Sequence, residues 1–268
     1  MTDITESDEL RTIVRERYGA IAEGRSCGCG CGCASDRPAD AEAARDATMA
    51  AIGYSSAEAG AVPGESNLGL GCGNPLAHAD LRAGETVLDL GSGAGLDCFL
   101  AARAVGPTGR VLGVDMTAAM IDRARAAARK GGYANVEFRL GEIEHLPVAD
   151  ASVDLVISNC VVNLSPEKED VFREAFRVLK PGGRMVVSDL VWTRPMPESV
   201  RKSVDALVGC IGGASLKDDY LGFVRAAGFE AVEVAEETGY DAGLGTNEAE
   251  REAFSAVRSV KVRARKRA

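Results

Sequence analysis

Between Glu85 and Trp192 the chain alternates two kinds of apolar pattern. Short, nearly continuous apolar runs, "TVLDL", "RVLGVDM", "NVEFRL", "VDLVISN" and "RMVVSDLVW", predict strands buried on both faces. Between them, "GLDCFLAARAVG", "AAMIDRARAAARKGG" and "EKEDVFREAFRVLKPGG" carry apolar residues at helical spacing. Strand and helix in strict alternation predict an α/β fold, doubly wound, with a mostly parallel sheet covered on both faces. Upstream, residues 1–25 predict one amphipathic helix through Leu10, Ile13, Val14, Tyr18 and Ile21, and Ala39–Ala51 an alanine-rich one. Residues 60–84, rich in Gly, Pro and Asn, read as a long irregular segment of the kind that carries function. Downstream, helices near 198–212 and 216–227 precede a last strand at "EAVEVAEE", and the basic "KVRARKRA" reads as a solvated tail. The expected division is 1–60, N-terminal helices with a Cys/Gly tract; 61–192, a ligand-binding α/β domain; and 193–268, a C-terminal extension of helices and a strand.

Composition narrows the function. The 268 residues are 46% hydrophobic and 26% charged, enough apolar material for a core, and the net charge of −9 argues against a nucleic-acid partner. The start "MTDITESDEL" has no secretory pattern and no run approaches a membrane span, so the expected setting is cytoplasmic, without a membrane partner. Thiols there stay reduced, and the eight cysteines point to soft-metal or redox chemistry before disulfides.

Chemistry enters at "VLDLGSGAGLD". Gly91, Gly93 and Gly95 form a tight bend between first strand and first helix, which brings backbone N–H groups against a ligand. Asp115, ending the second strand, is placed to accept ribose hydroxyls. A dinucleotide site is the competing reading. However, the spacing is GxGxG, and Asp89 would repel a pyrophosphate while suiting a cationic amino-acid moiety. With "LGEIEHLPV" after the third strand and "ISNCVVNLSP" ending the fourth, Glu85–Val191 resembles the class I S-adenosylmethionine-dependent methyltransferases, which implies a Rossmann-like sheet of the seven-stranded type. The resemblance implies that Gly91, Gly93 and Gly95 line the methionine end, with Asp89 beside them, and that Asp115 meets the ribose. Met116, Glu142 and Ile143 then meet the adenine, and Asn159 lies at the carboxyl edge.

The acceptor is suggested by sulfur. Cys72 in "NLGLGCGNP", Cys160 ending the fourth strand and Cys210 in "LVGCIGG" cluster around the expected ligand edge, although each alone reads as a small buried hydrophobe. Cys98, on an apolar helix, reads as core. Histidine is scarce, with only His78 and His145, so a general base is poorly supplied. Three thiolates without a CxxC pair suit zinc badly but suit a soft three-coordinate centre such as trivalent arsenic, whose lone pair needs no base to attack a methyl sulfonium. "NLGLGCGNP", "LDLGSGAGLDCFLAA", "GVDMT", "FRLGEIEHLPV", "ISNCVVNLSP" and "VGCIGGA" together resemble the arsenite methyltransferases over Ser66–Val234. That resemblance implies As(III) held by Cys72, Cys160 and Cys210, arsenite or methylarsenite as substrate, S-adenosylmethionine as methyl donor, and a thiol reductant such as glutathione or thioredoxin. Leu70 stands where some members carry an aromatic residue.

"SCGCGCGCAS" places Cys27, Cys29, Cys31 and Cys33 on a glycine-rich stretch too floppy for a catalytic centre. It reads as an accessory, capturing As(III) or relaying disulfide exchange, or as a plain linker. Two rival functions remain at this stage: methyl transfer to a small organic acceptor, and stoichiometric sequestration of soft metals.

Overall fold

The computed structural model describes residues 4–25, 38–195, 210–239 and 254–268. The Cys27–Cys33 tract and most of the helix expected near 198–212 lie outside the described residues. Helices α1 (Ile4–Ala22), α2 (Pro38–Ala51) and the short α3 (Ser56–Gly60) precede the alternating region. That region runs β1 (Thr86–Leu90), α4 (Leu96–Val105), β2 (Arg110–Asp115), α5 (Ala118–Gly131), β3 (Val136–Leu140), β4 (Val153–Asn159), α6 (Lys168–Val178) and β5 (Leu179–Trp192). Helix α7 (Lys217–Ala226), β6 (Glu230–Gly239) and β7 (Val257–Arg265) follow. Among the described residues no helix is long and apolar enough to cross a membrane.

The seven strands form one sheet in the order β3-β2-β1-β4-β5-β7-β6, parallel from β3 to β5 and antiparallel at β5–β7 and β7–β6. Successive strand residues face opposite sides. Val87, Val111 and Leu155 thus pack under α4 and α5 with Phe99 and Ile121, while Leu88, Leu112 and Val156 pack under α6 and α7 with Phe172 and Tyr220. Each fully buried Phe or Leu in these layers contributes about 1.5–3 kcal/mol. The strand order reverses between β1 and β4, so the loops leaving those two strands diverge and open a crevice at the carboxyl edge.

Two expectations are corrected. The basic C-terminus is not a solvated tail: Val257–Arg265 is strand β7, inserted between β5 and β6 with Val260, Val262 and Ala264 buried. Two of its cations pair with acids, Lys261 with Glu236 at 2.8 Å and Arg263 with Asp80 at 2.6 Å. Helix α6 stops at Val178 rather than running to Gly183, because Pro181 disfavours a helical residue before it and Gly182 turns through φ +77°. Residues 179–183 begin β5 instead, with a register shift against β4 between Val153 and Leu155.

Candidate active site

The β1–α4 loop turns through left-handed backbone at Gly91 (φ +66°), Gly93 (φ +51°) and Gly95 (φ +95°). Among the described residues the missing Cβ of Gly93 has only the Met120 sulfur, at 4.0 Å, within reach, so this side of the loop forms an open cradle among them. Asp115 braces it from β2, accepting the N–H of Gly93 at 2.9 Å and of Thr117 at 2.8 Å. Burial raises its carboxyl, opposed by those two donors.

Behind the loop stand two further buried carboxylates. Asp89 accepts from the Cys98 thiol at 3.3 Å, and Asp97, in the first turn of α4, accepts from the Tyr54 hydroxyl at 2.6 Å. Burial, then the Asp97 charge, holds Asp89 well above the ordinary carboxylate range. Burial pushes Asp97 up to about 6, against hydrogen bonds from Tyr54 and Asn159. The hydrogen-bond partners of the pair among the described residues are Cys98, Tyr54 and Asn159, none of them cationic. Two adjacent buried acids without a cation suit a ligand that brings one.

The expected adenine residues are Met116, Glu142 and Ile143. Ile143 is buried in the core beneath α6, and Met116 packs toward the cysteine cluster. Glu142 meets α1 rather than standing free, with Arg15 at 3.3 Å and Arg11 at 4.0 Å. Arg11 also reaches Glu167 at 2.7 Å and Glu144 at 3.6 Å. These pairs tie α1 across the carboxyl edge, where Val14 joins the cysteine cluster and Tyr18 packs against it.

Cys72, Cys160 and Cys210, from three distant segments, meet there. The Cys160 and Cys72 thiols lie within 4.8 Å of each other, and Cys210 packs in the same buried cluster. The Cys210 thiol donates to the Cys160 carbonyl at 2.9 Å. Cys160 and Cys210 both sit in left-handed backbone, φ +60° and +63°, a conformation costing a non-glycine residue about 1–3 kcal/mol. Cys72 is flanked by glycines for steric reasons: a Cβ on Gly73 would lie 2.1 Å from Ser188 Oγ. Burial raises Cys72 above the usual thiol range. Cys160 is held well above it, first by Cys210 and Cys72 and then by burial. The thiols of Cys72 and Cys160 and a carboxylate oxygen of Asp189 lie within 4.8 Å of one another. Asp189 is pushed up to about 7 by burial, opposed by donors from Leu190, Tyr220 and Asn163 and by the Lys168 charge.

Cys98 lies apart from this cluster, fully buried beside Asp89. His78 does find an acid, Glu236 at 2.9 Å, from a strand 158 residues on. Sequence reasoning did not single out Tyr18, Tyr54, Asp97 or Asp189. Asp97, two residues beyond Gly95, was the one with a local signal, since it opens the helix that leaves the glycine loop.

Comparison with known proteins places this architecture among methyltransferases. Residues 81–228 match the Methyltransferase domain family. The chain is 53% identical to the arsenite methyltransferase of Halobacterium salinarum over 233 residues, covering 85% of this chain and 59% of the relative. A crystal structure of an arsenic (III) S-adenosylmethionine methyltransferase from Chlamydomonas reinhardtii superposes with TM-score 0.63 and 37% identity, over 84% of this chain and 73% of that one. A geranyl diphosphate C-methyltransferase from Streptomyces coelicolor, 19% identical with TM-score 0.66 over 96% of this chain and 98% of its own, shares the fold. The matched region spans about three fifths of the Halobacterium relative and 47% of a second arsenite methyltransferase, from Aquipseudomonas alcaligenes.

Proposed function

The chain belongs to the arsenite methyltransferase family of S-adenosylmethionine-dependent enzymes, and on that premise we propose that it moves a methyl group from S-adenosylmethionine to As(III) held by Cys72, Cys160 and Cys210. The observation that carries the proposal is the convergence of those three thiols beside the glycine loop, with two of them on strained backbone.

The residues present suit the methyl donor. Asp89 and Asp97 are buried carboxyls that its ammonium would ionise, the cradle at Gly93 would give its methionine end room, and Asp115 would accept from its ribose. Met116, Glu142 and Ile143 bound the adenine side, and Asn159 holds the edge between the two sites. When bound, S-adenosylmethionine supplies an electrophilic methyl on a sulfonium.

The substrate site works without a general base. At neutral pH Cys72 and Cys160 are protonated: burial raises Cys72 against the contact from Cys160, and Cys160 is raised by Cys210, Cys72 and burial. Arsenite brings three hydroxides, so each As–S bond formed releases one water, made from the thiol proton and one hydroxide. Three thiolates leave arsenic a lone pair on its open side, with no proton to remove before it acts as a nucleophile. The thiols' part is to hold arsenic in one place and orientation, which is where positioning lowers a barrier. Methyl transfer would break the donor's S–CH3 bond, release S-adenosylhomocysteine and leave arsenic two electrons more oxidised. A thiol reductant such as glutathione or thioredoxin would return those electrons and close the cycle, in a cytoplasmic setting.

The test is arsenic speciation after incubation with arsenite, S-adenosylmethionine and excess thiol, run for wild type and Cys160→Ser. Methylated arsenic from wild type and none from the variant is the expected result. Equal turnover by the two would remove the thiol site, and no methylated arsenic from a protein that binds the cofactor would overturn the proposal.

A further inference from the structure

Asn159 ends β4, one residue before Cys160, and its amide is engaged at both ends. Its Oδ1 accepts the N–H of Cys72 at 3.1 Å, and its Nδ2 donates to the carbonyl of Gly73 at 2.7 Å. These two bonds grip adjoining residues of the 60–84 segment and fix where the Cys72 side chain starts. The grip is close enough that Gly71 cannot carry a side chain: at its φ of +120° a Cβ would lie 2.9 Å from Asn159 Nδ2. The same Nδ2 also donates to the Tyr54 hydroxyl at 2.9 Å and lies 3.3 Å from Asp97 Oδ2, while Tyr54 donates to Asp97 Oδ1 at 2.6 Å.

Two amide hydrogens are therefore shared among three acceptors, one on the cysteine loop and two in the acidic cluster beside the glycine loop. Asp97 stands beside Asp89 with no cation bonded to either among the described residues, and burial, with the Glu58 charge, weakens Asp97 as a fully charged acceptor. A cationic ligand group at that pair would favour the ionised form, strengthen the bonds from Tyr54 and Asn159, and so fix the amide that holds Cys72.

We propose that Asn159 is a positioning residue that couples the two sites, so that cofactor binding tightens As(III) binding by holding Cys72 in register with Cys160. This rests on the function proposed above. Thermodynamic linkage requires the converse as well: As(III) must tighten cofactor binding by the same factor, and couplings of this kind commonly span about 5–150-fold.

The protein carries its own reporter. Trp192 is the only tryptophan, is buried, and packs in one cluster with Cys72, Cys160 and Cys210, its Nε1 donating to the Ile211 carbonyl at 3.1 Å. Arsenite is titrated against Trp192 fluorescence with and without saturating S-adenosylhomocysteine, and S-adenosylhomocysteine is titrated calorimetrically with and without arsenite. In wild type each ligand should lower the Kd of the other by the same factor, about 5-fold or more. In Asn159→Ala arsenite should still bind, with the factor reduced to below about 2-fold. Tyr54→Phe, which keeps the ring and removes the hydroxyl, should lower the factor too, and it carries the test if Asn159→Ala does not fold. Loss of packing alone would weaken each ligand regardless of the other and leave the ratio of affinities unchanged. Independent binding in wild type, or a wild-type factor retained in both variants, overturns the proposal while leaving the function standing. Failure of wild type to bind arsenite at all would overturn both.

Discussion

The buried carboxyl of Asp189 makes stability fall as pH rises. Burial pushes it up to about 7, against four hydrogen bonds: from Asn163 Nδ2 at 2.7 Å, Leu190 N at 2.9 Å, and Asn163 N and Tyr220 OH at 3.2 Å each. In the unfolded chain an aspartate is already ionised at pH 5.5, whereas in the fold Asp189 releases its proton only near pH 7. The folded state thus binds more protons across the interval, and stability must drop through it. With one pKa unit equal to about 1.4 kcal/mol, raising the pH from about 5.5 to 7.5 costs about 2 kcal/mol through Asp189. Asp97, at about 6, adds about 1 kcal/mol over the same interval. The carboxylates that partners lower, such as Glu58, Glu85, Asp154 and Glu174, are ionised in both states there and contribute nothing to the slope. Asp89 and Asp115, which burial also raises, add to the same fall. Urea unfolding under reducing conditions should therefore show wild type losing about 2 kcal/mol more than Asp189→Asn between the two pH values. The variant forfeits hydrogen bonds at both pH values, so the slope rather than the absolute stability is the readout. A wild type that gains stability over this interval, or a variant that loses as much as wild type, would refute the assignment.

Two further outcomes follow from packing. Arg184 is buried under the sheet, donating to both oxygens of Glu85 at 2.7 and 2.8 Å and to the carbonyls of Ala79 and Asp80. Arg184→Met should lose about 3–5 kcal/mol in urea unfolding because it strands Glu85, and adding Glu85→Gln should recover part of that. Gly95 has φ +95°, and a Cβ there would lie 2.7 Å from the Phe138 ring and 2.9 Å from Phe99. Gly95→Ala should cost about 2–4 kcal/mol from strain and overpacking, seen as a lower thermal midpoint, and an unchanged midpoint would contradict the close approach.

The sequence by itself determined the features set by local periodicity. The five parallel strands, helices α4 to α6 and the glycine bend are legible because burial on two faces, helical spacing and left-handed backbone each leave a mark within a few residues. The family resemblance rested on the same short motifs. What the tertiary structure decided is everything that depends on which segments close on one another. The basic residues of "KVRARKRA" look solvated in the sequence, and only the fold brings Glu236 and Asp80 to pair with Lys261 and Arg263. The role of Arg11 and Arg15 in tying α1 over the crevice depends on the acids after β3 and before α6, and no pattern within α1 announces them. Cys72, Cys160 and Cys210 could be nominated one by one, but their meeting depends on the reversal of strand order between β1 and β4. Asn159 shows the limit most plainly. Its place at a strand end is readable, whereas Cys72 of the entry segment and Asp97 of α4 come within 3.3 Å of its amide only in the completed fold. Side-chain periodicity is a short-range property of the backbone; contacts between segments a hundred residues apart exist only once the sheet has set their register.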